Sequence, residues 1–154
     1  MCSAAAHQGT AFVEIYQNCN VFNDGAFDAV RAKGEKEHNQ IRLEHGRPIR
    51  FGPEGERGVV RRGIGSLELA DIAEVGEDAL VVHDAEREDP GLAFELAQLS
   101  QRPTGPTPVG VFRSVKRPVY GEDLQRELEE AHGSAGREEL DQLLHAGDTW
   151  TVSA

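Results

Sequence analysis

The chain has 154 residues, 38% hydrophobic and 6% aromatic, which allows one ordinary core with modest burial. Its formal charge of −11 lacks the positive footprint that nucleic acid or an anionic membrane surface requires, so neither is expected as a partner. No apolar run approaches the roughly 18 residues of a membrane span, the N-terminus has no basic or apolar signal region, and the two cysteines form no secreted-type disulfide framework; a reduced, cytoplasmic location is expected.

Residues 2–7 are small and helix-compatible, and Gly9 stands where a helix cap belongs. The run AFVEIY, residues 11–16, is almost unbrokenly apolar with β-branched and aromatic side chains, which predicts a strand buried on both faces. It ends in QNCNVFNDG, residues 17–25, whose Asn, Cys, Asp and Gly cannot easily extend a strand. Loops at the carboxyl ends of α/β strands are where ligands sit, so chemistry is expected first in this loop, and Cys19 is its one soft ligand. Such a strand needs sheet neighbours, and few others of its kind follow. The pattern therefore predicts a chain that opens partway through a larger unit.

Asp24 is placed to cap a short helix over residues 26–33, with Phe27 and Val30 on one face and Gly34 ending it. Residues 35–40 are polar and without periodicity. Short strands at 41–43 and 49–51 follow, and Gly52-Pro53-Glu54-Gly55 reads as a hairpin turn returning through residues 58–62. Alternation of Leu67, Leu69 and Ala73 predicts a strand over 67–75, and residues 79–82 predict a second buried strand ending at His83-Asp84. Asp89-Pro90 opens a helix whose buried face is Leu92, Leu96 and Leu99. A Pro-rich connection over 102–108 leads to a last strand marked by Val109, Val111 and Val115 and closed by Pro118. Two acidic amphipathic helices, at 122–132 and 137–145 with a Gly-rich separator, finish the chain. Between Gly121 and Asp148 stand nine acidic and two basic residues.

Other candidate groups carry little chemistry. Cys2 is set apart from Cys19 by the whole strand, since about seven residues at about 3.3 Å each place it roughly 20 Å away. The six histidines, His7, His38, His45, His83, His132 and His145, form no HxxxH or HxH pair, and read as scattered solvated groups. His83 is expected to pack at a domain or subunit contact, and Asp84 to cap a turn. Gly52 to Gly55 and Gly63-Ile64-Gly65 lack phosphate-loop spacing and read as turns. Arg61-Arg62 and Lys116-Arg117 are the basic pairs, suited to coenzyme A or an acidic partner but more simply to solubility.

The string GTAFVEIYQNCNVFNDGAFD, with LEHGRPIRFGPEGERGV, LVVHDAERED and PVGVFRSVKRPVY, resembles the β subunit of the 2-oxoacid:ferredoxin oxidoreductases, most closely the 2-oxoglutarate branch. The resemblance implies an α/β chain. Residues 1–25 would be the last strand and end of a thiamine-diphosphate-binding domain, 26–118 a small mixed α+β C-terminal domain, and 119–154 an acidic helical tail. It implies an enzyme that converts 2-oxoglutarate and coenzyme A to succinyl-CoA with electrons passed to ferredoxin, in partnership with an α subunit. Its cofactors would be thiamine diphosphate, magnesium and a 4Fe-4S cluster. Cys19 falls at the position of the cluster's fourth thiolate, where backbone N–H groups of Asn18, Asn20 and Val21 are placed to donate to sulfur. The family's upstream CxxC pair, third cysteine and GDG motif with its following Asn do not occur in the sequence. A C-terminal part of such a subunit, inert by itself, is therefore expected. The alternative is a free-standing interaction module derived from the same domain. A small histidine-dependent hydrolase is a third reading, for which a paired nucleophile is missing.

Overall fold

Gly52 and Gly55 adopt φ of +99° and +68°, the left-handed conformations that let the chain reverse between two strands. In the computed structural model, which describes residues 1–63, 66–102, 105–134, 137–148, 150 and 152, this turn joins β2 (Arg50–Phe51) to β3 (Arg57–Arg61). The hairpin read from the sequence is present, with Phe51 opposite Arg57 and Arg50 opposite Gly58. β4 (Leu67–Asp71) pairs antiparallel on the other side of β3, Val59 facing Leu69.

A second, two-stranded sheet joins distant parts of the chain. β1 (Gln40–Leu43) lies parallel to β5 (Thr107–Gly110), with Ile41 opposite Pro108. The leucines of α5 (Gly91–Leu99) recur at helical spacing, and Leu92, Leu96 and Leu99 are all buried against Ile41, Ile49 and Val59. Each such leucine contributes about 1.5–3 kcal/mol by leaving water, which makes α5 the lid of the core. Its start is fixed one residue beyond the expected point. Asp89 Oδ1 accepts the Gly91 N–H at 3.1 Å, and Pro90 supplies the carbonyl that takes the Phe94 N–H.

Several expected elements take another form. The strand predicted over 67–75 stops at Asp71, because Arg57 opposite Asp71 is the last pair β3 offers; the chain turns into α4 (Ile72–Val75), ended by Gly76 at φ +83°. Ala79 closes a 3-10 turn (Glu77–Ala79), and residues 80–82 are extended but form only isolated bridges, Leu80 to Val60 and Val82 to Pro48. Pro48 has no N–H with which to lengthen that ladder. The segment is nevertheless tied on both sides, the Val81 N–H donating to the Val59 carbonyl at 2.8 Å and its carbonyl accepting from Ile49 at 2.9 Å. The last strand ends at Gly110, which presses so closely on β1 that a Cβ there would lie 2.8 Å from the Leu43 oxygen. Beyond it, Ser114 N–H donates to the Ala85 carbonyl at 2.6 Å, and Arg113 reaches the carbonyl of Glu88 at 2.7 Å.

The opening of the chain departs most from expectation. After α1 (Cys2–Ala6), residues 11–18 have no regular structure, and Phe12 is 91% and Ile15 62% exposed. The predicted strand of residues 11–16 is thus absent. A strand is stable only when a neighbour takes its backbone hydrogen bonds, and among the described residues none is paired with it. The helix expected over 26–33 is shortened to α2 (Asp28–Arg31), and it begins at Phe27 without a side-chain cap, so Asp24 does not cap it. The polar stretch 35–40 contains α3 (Lys36–Asn39) and leads directly into β1.

The chain divides into two compact units, residues 1–7 with 11–115, and 8–10 with 116–154. The second contains the two expected acidic helices as α6 (Tyr120–Ser134) and α7 (Arg137–Leu144). α6 runs through Gly133, the start of the expected separator, whose residues 135–136 lie outside the described residues, as do 64–65 of the Gly63 turn and 103–104 of the Pro-rich connection. Leu124 and Leu128 are partly exposed on α6, and Leu140, Leu143 and Leu144 are exposed on α7. Among the described residues no helix is long and apolar enough to cross a membrane.

Candidate functional site

The loop that carries Cys19 is closed by its own side chains. Asn18 Nδ2 donates to Asp24 Oδ1 at 2.9 Å, and Asn18 Oδ1 accepts the Gly25 N–H at 2.9 Å, so one amide ties both ends of residues 19–24. Inside the loop the Asn23 N–H donates to the Cys19 carbonyl at 2.8 Å. Gly25 leaves at φ +76°, where a Cβ would stand 3.2 Å from the Asp28 carboxylate. Just outside the closure, the rings of Tyr16 and Phe27 stack with centroids 5.1 Å apart and planes 9° from parallel.

Cys19 is half-buried in this loop. The nearby backbone N–H dipoles of Phe22, then Val21 and, least, Asn23 hold its thiol below the ordinary range against the opposing effect of partial burial. Of the donors expected from the sequence, Val21 serves, while Asn18 and Asn20 are replaced by Phe22 and Asn23. The displacement follows from the turn. The Asn23 N–H bond to the Cys19 carbonyl turns the chain back just after Cys19, so the N–H groups that favour the thiolate belong to the residues that follow it. A thiolate favoured by fixed N–H dipoles is suited to ligate a soft metal or to act as a nucleophile.

Cys2 is exposed on α1, and among the described residues no three His, Cys, Asp or Glu side chains gather as a metal site. Cys19 therefore fits a single ligand position. His83 does not line a cleft. It is 1% exposed within the first unit, with Nε2 2.8 Å from the Val111 carbonyl, which requires the proton on Nε2. Asp84 caps a turn as expected, Oδ1 accepting the Glu86 N–H at 3.0 Å, while the Ala85 N–H donates to His45 Nδ1 at 3.1 Å. Arg61 is engaged by Glu95 at 2.8 Å and Arg62 by Glu68 at 3.1 Å, so that basic pair is turned to neighbouring carboxylates rather than to an anionic ligand. A cleft of about 590 Å³ beside Lys33, Glu37, His38 and Pro53 is open and excludes Cys19.

The sequence signal that pointed to Cys19 was the strand-to-loop transition; Asn18 and Asp24 as its closure were missed. Asn18 and an Asp-Gly pair six residues on were the available sign, but such a pairing has no periodicity to reveal it.

No protein-family profile matches the chain, and no solved structure matches it. Among known proteins, it is 45% identical over 152 residues to the 2-oxoglutarate oxidoreductase subunit KorB of Mycobacterium tuberculosis. The chain is similar to part of a KorB-like subunit. The match takes in 97% of this chain and 40% of KorB, so the chain spans less than half the length of that relative. The resemblance read from the residues is thereby shown, and the mixed α/β content, with one small parallel and one small antiparallel sheet, is consistent with a small α+β domain.

Proposed function

We propose that this chain is the C-terminal part of the β subunit of a 2-oxoacid:ferredoxin oxidoreductase of the 2-oxoglutarate branch. The observation that carries this reading is the 45% identity to KorB over 97% of the chain. In the whole enzyme, 2-oxoglutarate is oxidatively decarboxylated with coenzyme A to succinyl-CoA and ferredoxin is reduced; thiamine diphosphate with magnesium supplies the carbanion-stabilising chemistry. This chain's share is structural and ligating. Residues 11–16 become a strand of the thiamine-diphosphate domain once sheet neighbours are supplied, and their exposed apolar side chains support this. Cys19 gives the fourth thiolate of a 4Fe-4S cluster, with the Val21 and Phe22 N–H groups donating to sulfur. The domain after the loop and the acidic tail meet the α subunit. By itself the chain is inert, because one thiolate holds no cluster and no diphosphate-binding motif is present.

The test is purification of the native protein from its own cells under anaerobic conditions, with mass, peptide map, iron and thiamine diphosphate measured together. Peptides bearing a CxxC and a GDG stretch, on this polypeptide or one bound to it, should accompany both cofactors and 2-oxoglutarate-dependent reduction of ferredoxin. Cys19→Ser should lower the iron content. A cofactor-free protein with no such peptides refutes the reading.

The exposed leucines of α6 and α7 on strongly acidic helices favour a second reading, a free-standing interaction module. That module would retain its partner after Cys19→Ser and carry neither cofactor.

A further inference from the structure

Tyr120, Leu124 and Leu128 follow one another at four-residue intervals along α6, so they lie on one face of the helix. Tyr120 is 79% exposed and the two leucines 41% and 45%, and among the described residues the hydrophobic core takes in nothing from α6. The polar side of the same helix is satisfied along its own length. Arg126 Nη2 donates to Asp123 Oδ1 at 2.7 Å, and Gln125 Nε2 to Glu129 Oε1 at 2.8 Å. A helix of 15 residues is marginal in water by intrinsic propensity, and its stability comes chiefly from packing an apolar face against another surface. The stripe on α6 is such a face.

Charge decides what can cover it. α6 carries five acidic residues, Glu122, Asp123, Glu127, Glu129 and Glu130, and one arginine. By helical spacing Asp123, Glu127 and Glu130 run along one border of the apolar stripe. A second copy of this helix would set carboxylates against carboxylates, and helices that lie on membranes carry lysine and arginine on their polar face rather than glutamate. A cationic protein surface is attracted by the same border.

We propose that α6 lays Tyr120, Leu124 and Leu128 in an apolar groove of a separate polypeptide, whose rim carries lysine or arginine beside Asp123, Glu127 and Glu130. That the polypeptide is the α subunit rests on the reading above; the chemistry of the groove does not.

A photoreactive benzoylphenylalanine placed at position 124, 128 or 129, in the protein as its own cells make it, reads which face is covered and by what. Positions 124 and 128 should couple to one polypeptide other than this chain, at peptides bearing lysine or arginine, at least about fivefold more than position 129 on the opposite face. With that polypeptide purified, Leu124→Ala combined with Leu128→Ala should weaken binding about a hundredfold. Alanine favours the helix, and an unchanged circular dichroism spectrum shows that the loss is one of contact and not of folding. Raising sodium chloride from about 50 mM to about 500 mM should weaken wild-type binding about tenfold, and Glu127→Gln with Glu130→Gln should cut that dependence to about threefold or less.

Coupling to a second copy of this chain, equal coupling from both faces, absence of coupling, or binding indifferent to salt each overturns the proposal. Salt-sensitive coupling through positions 124 and 128 to a polypeptide other than the α subunit upholds the groove while the subunit reading fails. Attachment of the α subunit through position 129 alone does the reverse.

Discussion

Phe12 and Ile15 lie on opposite faces of the run that the sequence marks as a buried strand, and they give it a differential test. In the chain as it stands Phe12 is 91% exposed and Ile15 62% exposed, so truncating either to Ala removes almost no packing. Phe12→Ala and Ile15→Ala are each expected to change the chain's own stability by less than about 0.5 kcal/mol. In a full-length β subunit, with sheet neighbours on both edges and both faces covered, the same changes fall in a core. The cost there is about 3–5 kcal/mol for Phe12→Ala and about 2–5 kcal/mol for Ile15→Ala. Urea unfolding reads the difference directly. With a slope of about 1.5 kcal/mol/M, a loss of 3 kcal/mol moves the midpoint by about 2 M in the full-length subunit and leaves that of the chain unmoved. A full-length midpoint indifferent to both substitutions would refute the strand reading, and a chain midpoint displaced by either would show that residues 11–16 are already buried.

Glu56 gives a pH dependence with a definite sign. Its own backbone N–H and that of Glu54, the latter at 3.0 Å, hold its carboxyl below the ordinary glutamate range. A lowered folded-state value means that its stabilisation is complete above the unfolded glutamate's range and is lost as pH falls through that range and past the folded value. Melting temperatures of wild type and Glu56→Gln should therefore separate above about pH 5 and converge in acid; a constant gap across pH would contradict this. Gly110→Ala places a Cβ 2.8 Å from the Leu43 oxygen at a φ of +130°, and should destabilise the chain by about 3 kcal/mol in denaturant titration. A change within 0.5 kcal/mol would mean β1 and β5 are not in this register. Cys19, its thiol lowered by the Phe22 and Val21 N–H groups, should be alkylated by iodoacetamide with a midpoint below the ordinary thiol range; Cys19→Ser should remove that low-pH component. A midpoint in the ordinary range would show the N–H groups do not reach the sulfur.

What was legible in the sequence is what local chemistry determines. Leu92, Leu96 and Leu99 repeat at helical spacing and are buried together, and Gly52 with Gly55 marks the hairpin because few other residues tolerate those φ values. The parallel pairing of β1 with β5 was not legible. Ile41 and Pro108 stand far apart in sequence, neither strand carries a sign of its partner, and a proline in the second disguises it as a connection. The break at Asp71 depends likewise on where β3 runs out of partners. Cys19 was legible through its neighbours, whereas the identity of the N–H donors depended on which way the loop curls.

The first 25 residues contain two kinds of order, and the difference bears on how the proposed ligand site is built. The strand at 11–16 depends on long-range pairing and is not formed. The loop that follows is closed by bonds between residues six and seven apart in sequence, Asn18 with Asp24 and with Gly25. Short-range closures of this kind cost little chain entropy, so they form without help from distant elements. The loop that holds Cys19 is thus closed locally while residues 11–16 before it form no strand. A ligand presented in this way loses little further freedom when it is bound, which strengthens binding without any added contact. On the proposed reading, a strand at residues 11–16 would set where the loop sits in a larger assembly, while the closure by Asn18 is already made within the loop itself.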